Sequence, residues 1–424
     1  MRFTRHILIS AFCLFAWVPL TRAQFTSGST GSDGAYNPTA SGDFDPIALG
    51  LDPSGDNVFN FTTINIPVGV VIKLRASKLR NAAVTWLATG NVTIAGTLDL
   101  SGAAGAALNT ANAAALASSR VLPEPGPGGY TGGLGSNGGV GPQSGAGPGG
   151  GPAGLTSNAG ETCFGGNASF IGAGGTIGGQ KAGPTYGSFL LVPLYGGSGG
   201  GGGWEPVGAG NSVGGIGGAG GGAIRIASST QISVTGTINA NGGGAGGVIG
   251  PAAGCQGGVG SGGAIHLVAP TLLGGGAISA NSAAASFIGV FDTGIIRFST
   301  NGNSFTGTAP GLILGPLYLP PANSTLAAPS LTITSVNGVP VPPEASGQYL
   351  SPDVIISANN AVNVNLAAAN IPLGTVVTLR LTAENAADSI VACPPLAGTL
   401  AASTAVCSAT FPFSVSIAGV RASW

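Results

Sequence analysis

The chain has 424 residues, 13 Lys and Arg against 14 Asp and Glu, a formal net charge of −1, and only 6% charged residues. Soluble domains usually carry about 25%, so this surface must be built from Gly, Ser, Thr, Asn and Ala. That composition excludes nucleic acid as an expected partner, because neutralising phosphates takes many Lys and Arg side chains, and it suits neutral or weakly charged partners such as carbohydrate.

Residues 1–23 read as a secretory signal peptide. Arg2, Arg5 and His6 form a basic start, an apolar run spans Ile7 to Leu20, and Thr21-Arg22-Ala23 supplies the cleavage pattern. No later stretch has 18 consecutive apolar residues, so no transmembrane segment is expected once the signal is removed. The expected location is extracellular or on the cell surface.

Residues 24–83 read as a cap that leads into a repeat. Asp33, Asp43, Asp45, Asp52 and Asp56 crowd its first half. They fit Asp-rich turns, or a weak oxygen site for structural calcium centred on Asp33, Asp43 and Asp45. No other cofactor is expected. Lys73, Arg75, Lys78 and Arg80 follow as a basic cluster that reads either as a contact for an acidic polymer or as a solvated strand and turn.

Four stretches then resemble one another. They are VTWLATGNVTIAGTLDLSG from Val84, AIRIASSTQISVTGTINANGG from Ala223, AIHLVAPTLLGGGAISANS from Ala264, and a partial IIRFSTNGNSFTGT from Ile295. Each has a short alternating strand, a polar corner, a second strand, a Gly, and a third strand. Alternation puts Thr85 and Leu87, Ile224 and Ile226, Ile265 and Leu267, and Ile296 and Phe298 inward. Leu98, Ile238 and Ile278 align inward after Gly96, Gly236 and Gly276. One such coil cannot bury its apolar face alone, whereas stacked coils bury it continuously. Stacking would also place Ser101, Asn241 and Asn281 in a corner ladder.

A Gly-rich insertion, about residues 102–222, separates the first coil from the second. More than half of residues 126–151 are Gly, without the strict period of collagen. The insertion reads either as disordered low complexity or as extended, polyproline-II-like strands whose backbones pair directly. Cys163, Phe164, Phe170, Tyr195 and Trp204 would anchor the second arrangement. With Cys13 in the signal, four cysteines remain, an even count that favours disulfides in a secreted chain. Of the three pairings, Cys163–Cys255 and Cys393–Cys407 are preferred because each stays within one region.

A Pro-rich link at 309–329 ends the solenoid region, 24–308. From 330 to 424, alternating strands recur at short spacing, as in an immunoglobulin-like β-sandwich. The expected fold class is therefore all-β: a parallel β-helix, or solenoid, with a long Gly-rich insertion, followed by a small β-sandwich.

The four coils resemble the right-handed parallel β-helix of pectate-lyase-like and haemagglutinin-like secreted proteins. The segments GSDGAYNPTASG and FNFTTINIP are similar to Gly-rich bacterial surface proteins. The resemblance implies a fold and carries no functional residues.

Aligned in this way, the coils send Trp86, Arg225, His266 and Arg297 outward in one column, the candidate ligand-binding strip for an anionic or aromatic-stacked carbohydrate. The competing reading is an outer face that is solvated or covered by the insertion. No catalytic residues are assigned: glycoside hydrolysis usually needs two carboxylates on one face, and Asp99, Glu124, Glu161, Glu205 and Asp292 do not pair. The sequence thus points to a secreted structural or adhesive protein that binds extracellular polysaccharide or matrix. A β-helix polysaccharide lyase or hydrolase is the alternative.

Overall fold

The computed structural model describes residues 25–51, 55–111, 120–137, 140–155, 163–204, 213–250, 254–283, 293–320, 330–342, 345, 352–357, 360–383, 389–411 and 418–424. The signal-peptide reading lies outside them. The described chain is all-β, with three parallel sheets whose strands stack in register and a C-terminal antiparallel sandwich.

Each complete coil gives one strand to each parallel sheet, and the partial coil from Ile295 gives strands to two of them. In the second coil the three strands are Ala223–Ser228, Gln231–Val234 and Thr237–Asn239. In the third they are Ala264–Val268, Thr271–Gly274 and Ala277–Ser279. A full coil also precedes the one at Val84: Val58–Phe61, Thr63–Ile66 and Val71–Lys73 pair with its three strands. Part of the segment read as a cap is therefore a coil. At the other end, Leu312–Gly315 adds to the Ile295–Ser299 strand, so the Pro-rich link begins with a solenoid strand.

The core runs through the middle of the coils. Ile226, Leu267 and Phe298 stack, as the alternation requires, and Leu98, Ile238 and Ile278 stack on a second wall. The first coil departs from the expected register. Ile224 pairs with Val84, Arg225 with Thr85, and Ile226 with Trp86. Thr85 therefore faces outward, and Trp86 faces into the core, where it is 0% exposed. A shift of one residue exchanges the two faces of a strand, and the indole decides which register is taken. Burying it removes roughly 200 Å² of surface, about 5 kcal/mol at ~25 cal/mol per Å². Its ring packs against Tyr36, Phe44 and Phe61 at centroid distances of 5.5, 5.1 and 5.9 Å.

The corner ladder forms between neighbouring coils 2 and 3, where the Asn241 side-chain oxygen accepts from Ser279 Oγ at 2.5 Å and from the Asn281 amide at 2.9 Å. Ser101 instead bonds through its amide to Asp99.

The Gly-rich segments form a bundle of paired extended strands. Along 197–204 the donors point in three directions in turn. Gly197, Gly200 and Gly203 donate to the carbonyls of Gly221, Gly218 and Gly215; Gly199 and Gly202 donate to Ala146 and Gln143; Gly201 and Trp204 donate to Gly166 and Cys163. Three directions repeating every three residues is the geometry of the polyproline II helix, which has no internal hydrogen bonds and must find partners outside itself. Here the partners are other such strands. The strands approach too closely for side chains: a Cβ on Gly200 would lie 2.2 Å from the Gly258 oxygen, and one on Gly217 would lie 2.0 Å from the Gly200 oxygen. The bundle extends beyond the 102–222 insertion, since Gly243, Gly246, Gly258 and Gly260 take part. Residues 213–222 and 254–263 lead straight into the first strands of coils 2 and 3, so the bundle and the solenoid share one backbone network.

Cys163–Cys255 staples two bundle strands, with Cα atoms 5.7 Å apart. The Trp204 backbone bonds to both cysteines, donating to the Cys163 carbonyl and accepting from the Cys255 amide.

The C-terminal sandwich packs a five-stranded sheet on a three-stranded one. Strands Val362–Ala369, Val376–Ala383 and Ser389–Pro395 lie within the region where short alternating strands are expected. Ala402–Ala409, rich in small residues, is a further strand, and its alternating exposure places Cys407 in the core. Val364, Leu366, Val377, Leu379 and Leu381 fill that core. Cys393–Cys407 crosses it from one sheet to the other.

Candidate functional site

The outward column now reads Thr85, Arg225, His266 and Arg297, with Trp86 removed from it by the register. All four lie on adjacent strands and all are buried, between 1% and 7% exposed. What covers them is a turn of the Gly-rich region. Arg225 Nη2 donates to the Leu191 carbonyl at 3.1 Å, and Arg297 Nη1 donates to the Phe189 carbonyl at 3.1 Å. Leu191 packs with Phe170, Ala223, Ala264 and Ile295 beside the column.

Within the column, Arg225 Nε meets His266 Nδ1 at 3.3 Å, and His266 Nε2 meets Ser299 Oγ at 3.0 Å. Among the described residues, none of the ion pairs involves Arg225, His266 or Arg297. Burial, then the charges of Arg225 and Arg297, hold His266 well below its ordinary pKa. Burial also lowers Arg225 to about 10. The column therefore works first as a clasp: cationic side chains hold down a backbone turn through its carbonyls.

The acidic cluster is dispersed. Asp33 accepts from the Asn60 amide, Asp43 pairs with Arg75 at 2.8 Å, and Asp45 pairs with Lys78 at 3.0 Å. The Ala48 amide, then Lys78, keeps the Asp45 carboxyl below its usual range. Asp56 accepts from the Val58 amide, and Asp52 lies outside the described residues. No group of three His, Cys, Asp or Glu placed to hold a metal occurs among the described residues. Two of the three candidate calcium ligands, Asp43 and Asp45, pair with Arg75 and Lys78 of the basic cluster.

A cleft of about 1790 Å³ opens beside the column. Its walls come from the 75–85 segment, the bundle around 120–134, the 193–195 turn and the sandwich strands at 330–336 and 418–422. Tyr130, Tyr195, Phe411 and Trp424 line it, and Trp424 is 52% exposed. Burial, then Tyr195, pushes the Tyr130 hydroxyl up to about 12, so it stays a neutral donor. The ionic lining is Arg75, Arg80, Arg120, Arg225 and Arg421 against Asp56, Glu124 and Asp353, two more cations than anions. Arg225 thus belongs to the cleft wall as well as to the column.

Glu124 is tied into the wall. It accepts from Arg75 Nη1 at 3.1 Å and from Ser77 Oγ at 2.5 Å. Glu161, Glu205 and Asp292 lie outside the described residues.

Arg380 and Arg421 fix the sandwich to the bundle and so set the shape of the cleft. They are cross-strand partners. Arg380 donates to the carbonyls of Gly141 and Gly135, both at 2.9 Å, and Arg421 Nη1 donates to the Gly132 carbonyl at 2.8 Å and to Gln143 Oε1 at 3.2 Å. Burial, then Arg380, lowers Arg421 to about 10. Sequence reasoning missed this pair. The signal was present: they are the only Lys or Arg from 330 onward, each set within an apolar strand.

Comparison of the chain with protein-family models, with curated proteins and with solved structures found no match.

Proposed function

We propose that the chain is a secreted or cell-surface structural and adhesive protein that holds extracellular carbohydrate or matrix in the cleft between bundle and sandwich. One observation carries this reading. An aromatic-lined cleft lies between two parts, each stapled by a disulfide, that buried arginines clamp together. Aromatic faces stacked on sugar rings, with planar polar side chains at the rim, suit an extended glycan. The two disulfides fit an oxidising compartment. The low charge fits a scaffold that meets neutral surfaces.

The test is a glycan array on the purified mature chain, with a reducing-sugar assay on every glycan that binds. Binding without turnover is the expected result. Turnover that disappears in Arg225→Ala or His266→Ala would overturn the non-enzymatic reading. Binding unaffected by Trp424→Ala together with Tyr195→Ala would remove the cleft as its site.

A further inference from the structure

We infer that the 187–195 loop is an acid-released strap: protonation of His266 frees it from the outer face of the solenoid. This release is a property of the chain alone, whatever the cleft holds.

The loop has a closed neck. The Tyr186 hydroxyl donates to the Gly196 carbonyl at 2.6 Å, while the Tyr186 amide is held by the Phe170 carbonyl and the Gly196 amide by the Gly128 carbonyl. Within the loop, Arg225 holds the Leu191 carbonyl and Arg297 holds the Phe189 carbonyl. The tip stands in solvent, with Phe189 58% and Leu190 60% exposed. Leu191 is buried and plugs the loop onto Phe170, Ala223, Ala264 and Ile295. Its φ is 54°, a left-handed conformation that a leucine keeps only where its surroundings impose it. Arg225 grips the carbonyl of that same strained residue, so losing the grip lets the loop relax away from the sheet.

His266 stands between the two anchors. Its strand lies between those of Arg225 and Arg297. Its Nδ1 accepts from Arg225 Nε, and its Nε2 meets Ser299 Oγ. The charged groups that act on it are those two arginines. Tyr318, from the segment after the last solenoid strand, acts on Arg225, and a phenol carries no charge in acid. A proton on Nδ1 would set N–H against N–H, so Arg225 must turn away, and the new positive charge repels Arg297 from the other side. Both anchors then leave their carbonyls. Burial first, and the two arginines second, make the closed strap refuse this proton, whereas an open strap admits water to the ring. The closed form is therefore fully favoured above about pH 6.5, the ordinary imidazole value, and opening gains up to about tenfold for each pH unit below it. His266 is the only histidine after residue 23, so no second imidazole shares this window.

The experiment is hydrogen exchange of the purified mature chain from pH 7.5 to 4.5, corrected for the intrinsic effect of pH and repeated in low urea. The Leu191 amide, bonded to the Ser188 carbonyl, reports the strap, and the Gly201 amide, bonded to the Gly166 carbonyl, reports the bundle. Strap protection should begin to fall near pH 6.5 and lose at least about tenfold by pH 4.5. It should stay below that of the bundle and be insensitive to low urea, because a local opening exposes little surface. His266→Gln, which accepts from Arg225 and donates to Ser299 without a charge, should hold strap protection within about twofold over the same range. Strap protection that does not change with pH overturns the inference. A strap that exchanges only together with the bundle, with the same urea dependence, opens by unfolding of the whole chain and overturns it as well. Loss that persists in His266→Gln places the trigger elsewhere. Should His266→Gln fail to fold, the onset in the unaltered chain decides: a loss that starts only below about pH 5 belongs to carboxylates and overturns the assignment to His266.

Discussion

Arg225 Nε donates to His266 Nδ1 at 3.3 Å, from one coil to the next. An imidazole that accepts at Nδ1 is neutral and carries its proton on Nε2, so it donates onward to Ser299 Oγ, 3.0 Å away. Protonating Nδ1 would cost that bond and place a third cation between Arg225 and Arg297.

A pH dependence follows. The folded pKa of His266 is depressed, by burial first and then by Arg225 and Arg297. The unfolded chain, with an ordinary His pKa near 6.5, therefore takes up a proton that the folded chain refuses. Stability is full above about pH 6.5 and falls as pH drops below it, by up to about 1.4 kcal/mol per pH unit. Urea unfolding between pH 7.5 and 5 should show this slope, and His266→Gln should flatten it.

The bundle should tolerate methyl groups at some glycines and not at others. A Cβ on Gly217 would sit 2.0 Å from a backbone oxygen, whereas one on Gly244 would meet only methyl carbons at 3.8 Å. Gly217→Ala should cost more than about 3 kcal/mol through forced backbone separation. Gly244→Ala should change stability by less than about 1 kcal/mol. Thermal melts of the two variants provide the comparison.

The disulfides should differ in value. Cys163–Cys255 closes a sequence separation of 92 and Cys393–Cys407 one of 14. In the chain-entropy account, removing them as Ser pairs costs roughly 4.6 and 3 kcal/mol. Denaturant titrations of the two double-Ser variants test the order. Peptide mapping without reductant tests the pairing itself.

The arginine clamp should hold the sandwich in place. Arg421→Ala leaves the Gly132 carbonyl and Gln143 without their buried donor, at a cost of about 2–3 kcal/mol. Arg380→Ala should cost at least as much, since that side chain is 0% exposed and serves two carbonyls. The losses should not add, because the two side chains are cross-strand neighbours. Faster proteolysis between bundle and sandwich, with a larger radius in solution scattering, would report the released clamp.

The stacked coils are legible in the residues alone, because alternation is local: a strand of period two shows its buried face in its own residues, and Ile226, Leu267 and Phe298 announce the stack. The residues alone also indicate the cysteine pairing, since both pairs stay within one region. Tertiary structure decided the rest. The register of the first coil turned on Trp86, whose partners Tyr36, Phe44 and Phe61 lie far along the chain. The Gly-rich strands had no side-chain pattern to read, because their order comes from backbone carbonyls and amides that every residue shares, and only packing shows which of them meet. The column of Arg225, His266 and Arg297 was visible as a column. That it is closed by Leu191 and Phe189, and that Arg225 also lines a cleft against the sandwich, depended on contacts between segments distant in sequence. Local alternation can tell which way a side chain points from its strand, and only the folded chain tells what it meets there.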